Sequence, residues 1–188
     1  MNASLKGSSV SAELQVILDN QRRAFHAEGP VALATRIDRI DRCIALLVDN
    51  KEAICEAVNT DFGCRSKYVT LMTDIMTSVG SLKFVKKNLK KWMKPEKRSA
   101  FMPMNFLGAK AHVHYQPKGV VDIMTPWNVP VNMIFSPLAD ALAAGNRVIL
   151  KPASQTVLVA YELCKCFWRA GVSKQALQFL PCQGSGVG

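Results

Sequence analysis

Between Ser11 and about Lys94 the apolar positions recur at helical spacing. Leu14, Ile17 and Leu18 start one helix, and Ile37, Ile40, Ile44 and Leu47 mark the buried stripe of the next. Further helical stretches are predicted around Ile54 to Asn59 and from Tyr68 onward, with DFGCRS as a break between them. The stretch KPEKRSAFMPMNFLGAK carries two prolines and a glycine. It reads as a long connection that ends in a short strand, AHVHYQP, where apolar and polar residues alternate.

After Gly119 the period changes. GVVDIM is an apolar run suited to a buried strand, VNMIFSPLADALAAG a helix closed by Gly145, and NRVILK a second strand. SQTVLVAYELCKCFWRAG is again helical and closes on Gly171, and ALQFLP is a third strand candidate. Strands alternating with helices at this spacing describe a parallel βαβαβ unit, half of a dinucleotide-binding fold. The predicted class is therefore α/β: N-terminal helices followed by an incomplete Rossmann-like parallel sheet. Residues 1–110 form the helical segment and connection, and residues 111–188 a partial dinucleotide-binding domain. A three-stranded half-sheet leaves an unpaired edge and an uncovered face, so the expectation is a truncated architecture.

Composition changes this picture little. A 49% hydrophobic content with 20% charged residues is that of a globular chain, which excludes disorder as the default. Met1 to Val10 is polar, and no run approaches the roughly 20 apolar residues of a membrane span. A cytoplasmic protein without a membrane partner is expected. The six cysteines, Cys43, Cys55, Cys64, Cys164, Cys166 and Cys182, sit in helical patterns or singly in loops, and read as reduced, inert thiols. Cys164 and Cys166, two apart on a helix, point to different faces, so no metal centre is expected. The net charge of +10 draws on KFVKKNLKKWMKPEKR, where Lys83, Lys87, Lys90 and Lys94 form one helical stripe opposite Val79, Leu82, Leu89 and Met93. A polyanion patch is one reading. A solvated helix face is the preferred one, because no nucleic-acid motif accompanies the lysines.

Ligands of open parallel sheets bind at the carboxyl ends of the strands. Here those ends are followed by TPWN, KPAS and PCQGSGVG. A lysine directly after a strand reaches a ribose hydroxyl or a phosphate, and a glycine-rich turn lets backbone approach a nucleotide. Each signal has a plainer reading: a solvated lysine, a flexible tail, or a rigid turn with a packed indole and a helix-capping asparagine.

In combination, PWNVP, LADALAAGNRVILKPASQT and LPCQGSGVG, in this order and spacing, closely resemble the aldehyde dehydrogenase superfamily over Gly119 to Gly188. The N-terminal part with NTDFG is similar more loosely. TDIMTSVGSLKFVKKNLKKWMKPEKR followed by MNFLGAKAHVHYQPKGVV looks most like the branch acting on coniferyl aldehyde. The resemblance implies NAD- or NADP-dependent oxidation of an aldehyde, aromatic in that branch, by a homo-oligomer at full length. It implies that the Asn128 amide donates to the oxyanion that forms when a cysteine thiolate attacks the carbonyl, with Pro126 and Pro130 restricting the backbone around it. Trp127 and the carbonyl of Thr125 match cofactor-lining positions, Lys151 the lysine on the adenosine ribose, and Gly184 a glycine near that ribose. Ser154 stands where NAD-preferring members commonly carry glutamate, which leaves NADP, and a semialdehyde substrate, open. Cys182 departs from the usual glycine. Family members run to roughly two or three times this length. Their nucleophilic cysteine, general-base glutamate and catalytic domain lie beyond Gly188, so the chain alone is expected to be inactive. A non-catalytic partner of a full-length relative is the remaining alternative.

Overall fold

The computed structural model describes residues 3–171 and 177–180, with side chains from Ala12 onward. Five helices come first: α1 (Ala3–Glu28), α2 (Leu33–Asp49), α3 (Lys51–Phe62), the single turn α4 (Lys67–Thr70) and α5 (Thr77–Trp92). A π-helical stretch, Leu71–Met76, joins α4 to α5. A two-stranded antiparallel ribbon follows, β1 (Glu96–Arg98) with β2 (Ala111–Val113). Then β3 (Val120–Met124), α6 (Pro130–Ala143), β4 (Arg147–Lys151), α7 (Val157–Arg169) and β5 (Leu177–Phe179) alternate. Their strands form one parallel sheet in the order β3-β4-β5, as the predicted βαβαβ unit requires.

Three details differ from the sequence reading. Helix α1 begins at Ala3 rather than Ser11. The long connection holds a strand of its own, β1: three charged residues paired only to β2 carry no apolar alternation to reveal them. On α5 the buried stripe is Leu82, Val85 and Leu89, while Met93 lies past the helix end and is exposed. The four lysines of the stripe are exposed, with Lys94 just past the helix.

One buried cluster runs through both parts of the chain. Ile40, Leu47, Ile54 and Leu82 from the N-terminal helices join Ile134, Phe135, Leu138, Leu150, Leu163 and Phe167 from the βαβαβ unit. Phe135 of α6 and Phe167 of α7 stack at 5.4 Å between ring centroids, which ties the two crossover helices together. Gly145 and Gly171 end those helices with φ of 85° and 66°, a conformation in which a Cβ would be strained.

The N-terminal layer also holds both crossover helices by their ends. Neither has a capping side chain at its own N-cap, Val129 for α6 and Thr156 for α7. Instead, Asp74 accepts the N–H groups of Val131 and Asn132 at 3.0 and 3.3 Å. Asp61 accepts those of Leu158 and Val159 at 3.2 and 2.9 Å. At the other ends, Arg36 donates to the carbonyl of Ala143 at 2.8 Å and Arg42 to that of Ala170 at 3.1 Å. Carboxylates meet the positive helix ends and guanidiniums the negative ones, satisfying backbone groups that helix termini leave unpaired.

Candidate functional site

The parallel register aligns the carboxyl ends of the strands. Met124 is paired with Lys151, and the N–H of Thr125 donates to the carbonyl of Lys151 at 3.2 Å. Leu180 N–H reaches Leu150 O at 2.8 Å, so the exit of β5 lies beside that of β4. Thr125, Trp127 and Asn128 therefore share the loop leaving β3, and Lys151 ends the adjacent strand with Ser154 three residues on. Gly184, like Cys182, lies outside the described residues.

Within this cluster the side chains differ in exposure. Trp127 and Asn128 are exposed, Thr125 and Lys151 half-buried, and Ser154 exposed. The Thr125 hydroxyl oxygen is buried and lacks a hydrogen-bond partner among the described residues. An orphaned hydroxyl beside the strand ends, an exposed indole and an ammonium on the neighbouring strand suit a ligand carrying hydroxyls, negative charge and a flat ring. The donor set fits a dinucleotide.

The loop is held from behind. Arg65 donates to the backbone carbonyl of Asn128 at 2.6 Å. Its other terminal nitrogen reaches Asp74 Oδ2 at 3.2 Å and Thr73 Oγ1 at 3.1 Å. The guanidinium lies 4.7 Å from the centroid of the Phe62 ring, and Phe62 in turn contacts Trp127 at 6.1 Å. Asp74 is fully buried inside the π-helical stretch. Burial pushes its carboxyl above the ordinary carboxylate range, opposed by the Arg65 charge and by the N–H groups of Asn132 and Val131.

Arg65, Asp74 and Asp61 were not singled out in the sequence, where DFGCRS read only as a break. The available signal was indirect. A helix that opens Val-Pro, with no Ser, Thr, Asp or Asn at its cap, must find acceptors elsewhere.

Burial pushes the Cys43 thiol up to about 12 and the Cys166 thiol up to about 11, and raises Cys55 as well. Cys64 is exposed and Cys164 partly so. No cluster of three or more potential metal ligands occurs among the described residues. No described helix is long and apolar enough to cross a membrane. The cavity of about 700 Å³ beside Arg36, Leu89, Trp92 and Ala143 lies at the opposite end of α6 and is separate from this site.

Comparison with known proteins bears on the family and the fold. A model of the aldehyde dehydrogenase family matches residues 7–188. The coniferyl aldehyde dehydrogenase of Pseudomonas sp. strain HR199 is 47% identical over 81% of this chain and 31% of its own length. A Caulobacter vibrioides relative named for the same activity is 41% identical over 96% of this chain and 38% of its own. A Mycobacterium ulcerans relative named for succinate semialdehyde and NADP(+) is 30% identical over 97% of this chain and 34% of its own. Among solved structures, the indole-3-acetaldehyde dehydrogenase of P. syringae in complex with NAD+ superposes with a TM-score of 0.77 at 27% identity. That match covers 90% of this chain and 33% of that one. The chain thus spans about a third of the length of the relatives it matches.

Proposed function

Because this chain belongs to the aldehyde dehydrogenase family, we propose that it forms the N-terminal part of an enzyme oxidising an aromatic aldehyde of the coniferyl type to its acid. Residues 111–188 would supply the first half of the dinucleotide site. The bound nicotinamide dinucleotide supplies the hydride acceptor of this oxidation; water supplies the second carboxyl oxygen.

The residues of this chain do the rest of the binding work in the proposal. Thr125 and Trp127 line the cofactor site, Lys151 bonds the adenosine ribose, and the Gly184 loop approaches it. The neutral Ser154 puts no carboxylate against a 2′-phosphate, so NADP is accepted as well as NAD. Asn128 directs its amide at the oxygen of the reacting carbonyl, donating where negative charge develops. The observation that carries this reading is the juxtaposition of the Asn128 loop with Lys151 across β3 and β4, beside the orphaned Thr125 hydroxyl.

The same proposal assigns no nucleophile to these 188 residues, because none of the six cysteines matches the family's nucleophile by motif. Two assays test it. The chain alone binds NAD or NADP by calorimetry, and replacing Lys151 with Met weakens that binding. It produces no aldehyde-dependent NADH signal. Dinucleotide binding that is absent, or indifferent to Lys151, would refute the cofactor assignment; turnover by the chain would refute the missing nucleophile.

A further inference from the structure

We infer that Arg65 and Asp74 are positioning residues for Asn128: together they close a ring of contacts around the backbone from Asn128 to Asn132 and so fix the direction in which the Asn128 amide is presented. The ring runs from the Asn128 carbonyl to Arg65 Nη1 at 2.6 Å, and from Arg65 Nη2 to Asp74 at 3.2 Å. It returns from Asp74 Oδ1 to the N–H groups of Val131 and Asn132. Pro130 offers no N–H, so Val131 is the first donor at the start of α6, and Asp74 takes it.

The arrangement exceeds what helix capping needs. Asp61 caps α7 through the same two positions of its first turn, yet makes no ion pair with an arginine or lysine among the described residues. Only at α6 is an arginine added, and its extra bond goes to the residue that carries the amide. The side chain of Asp74 is fully buried and that of Arg65 is 13% exposed. A pair this enclosed is costly to desolvate and adds little net stability, so the splitting of the guanidinium, one nitrogen on Asp74 and the other on the Asn128 carbonyl, is better explained by the loop it holds. Thr73 completes the site by bonding both Arg65 and Asp74. Planar forked donors suit this task; a lysine could not span carboxylate and carbonyl in the same fixed geometry.

The catalytic consequence rests on the function proposed above, whereas the positioning itself can be read in the chain as it stands. In the ¹⁵N-labelled 188-residue protein, Trp127, Asn128 and Val129 should have backbone order parameters near about 0.85, typical of rigid backbone. In Arg65→Met they should fall below about 0.6, the flexible range, while the first turn of α7 stays rigid. The double variant Arg65→Met/Asp74→Asn leaves no unpaired buried charge and keeps an acceptor for Val131. It carries the test where the single variant does not fold, and the same loss of order is expected. Unchanged order at these three residues in a folded variant overturns the inference.

The kinetic arm uses an enzyme of the relatives' length carrying these residues. There the double variant should lower kcat by roughly ten- to a hundredfold, the scale of a misplaced catalytic group, with KM for the dinucleotide unchanged. Equal losses in kcat and in dinucleotide affinity would mean a general collapse of the site and overturn the inference. A loosened loop with unaltered kcat would leave the positioning in place and remove Asn128 from the proposed chemistry.

Discussion

Asp61 offers a measurement of how strongly the N-terminal layer holds the parallel sheet. Its two carboxylate oxygens accept the N–H groups of Leu158 and Val159 from a different helix, 97 and 98 residues away in sequence. In Asp61→Ala both donors lose their partner, with unequal results. Leu158 is 43% exposed, so water can replace the carboxylate there, whereas Val159 is 1% exposed and its environment is closed. The loss should resemble that of a helix N-cap plus part of a charge-assisted hydrogen bond, about 1–2 kcal/mol. For a chain of this size that lowers Tm by roughly 2–8 °C. Urea unfolding followed by circular dichroism should show a lower midpoint and an unchanged slope. Asp61→Asn keeps one acceptor and removes the charge, so it should fall between wild type and Asp61→Ala, and its difference from wild type should shrink in high salt. A loss below about 0.5 kcal/mol for Asp61→Ala, the range of an ordinary surface substitution, would refute the view that charges from the helical layer anchor α7.

Two further outcomes follow from the same layer. Gly145→Ala should cost about 2–4 kcal/mol, because the new Cβ meets φ of 85° and also the Arg36 guanidinium at 2.9 Å. That guanidinium is pinned by its bonds to Val31 and Ala143. Gly63→Ala, at φ of 77° with open space around it, should cost only about 1–2 kcal/mol, and equal losses in urea unfolding would contradict the clamp. Asp74 has its carboxyl raised by burial in the folded chain, so it binds a proton more tightly folded than unfolded. Its contribution is complete below the unfolded carboxylate value and is lost as pH rises through the raised native value. Wild type should therefore gain stability relative to Asp74→Asn as pH falls through the raised native value toward the unfolded one; a constant difference, or one of opposite sign, would refute the burial argument.

The parallel half-sheet was legible chiefly through its central strand β4, which is buried on both faces and reads as a continuous apolar run, whereas β3 exposes Asp122 and Met124. Val148 and Leu150 are fully buried, and Ile149 between them is 8% exposed. The helix ends at Gly145 and Gly171 were legible for a local reason as well, since only a residue without Cβ enters that conformation cheaply. The ribbon strand β1 was not, because Glu96, Lys97 and Arg98 form no apolar face. Nor were the four end contacts of α6 and α7, whose partners lie between 57 and 128 residues apart. Periodicity reports which face of an element is buried, and says nothing about which distant charge meets its end. Thr156 shows how a local rule misleads: it looks like an N-cap, yet its hydroxyl turns back to the Ala153 carbonyl while Asp61 does the capping. The motif singles out the loop residues Thr125, Trp127 and Asn128, but the arginine and aspartate behind them are invisible to it.

Anchoring each crossover helix at both ends has a consequence that apolar packing alone lacks. A buried hydrophobic stripe is non-directional, and a helix can slide along it by a fraction of a turn for a modest loss of contact. The position of α6 along its own axis is instead fixed by Asp74 at one end and Arg36 at the other, since a shift of even 1–2 Å would pull either pair beyond hydrogen-bonding distance. The loop from Thr125 to Val129 is strung between β3, whose register is set by β4, and the first turn of α6. With both of its attachments fixed axially, and Arg65 holding its carbonyl from behind, that loop has few ways to move. The helices that precede the sheet thus contribute to the site through geometry rather than through contact with a ligand, which gives a physical reason for the site-bearing loop and the N-terminal layer to occur in one continuous chain.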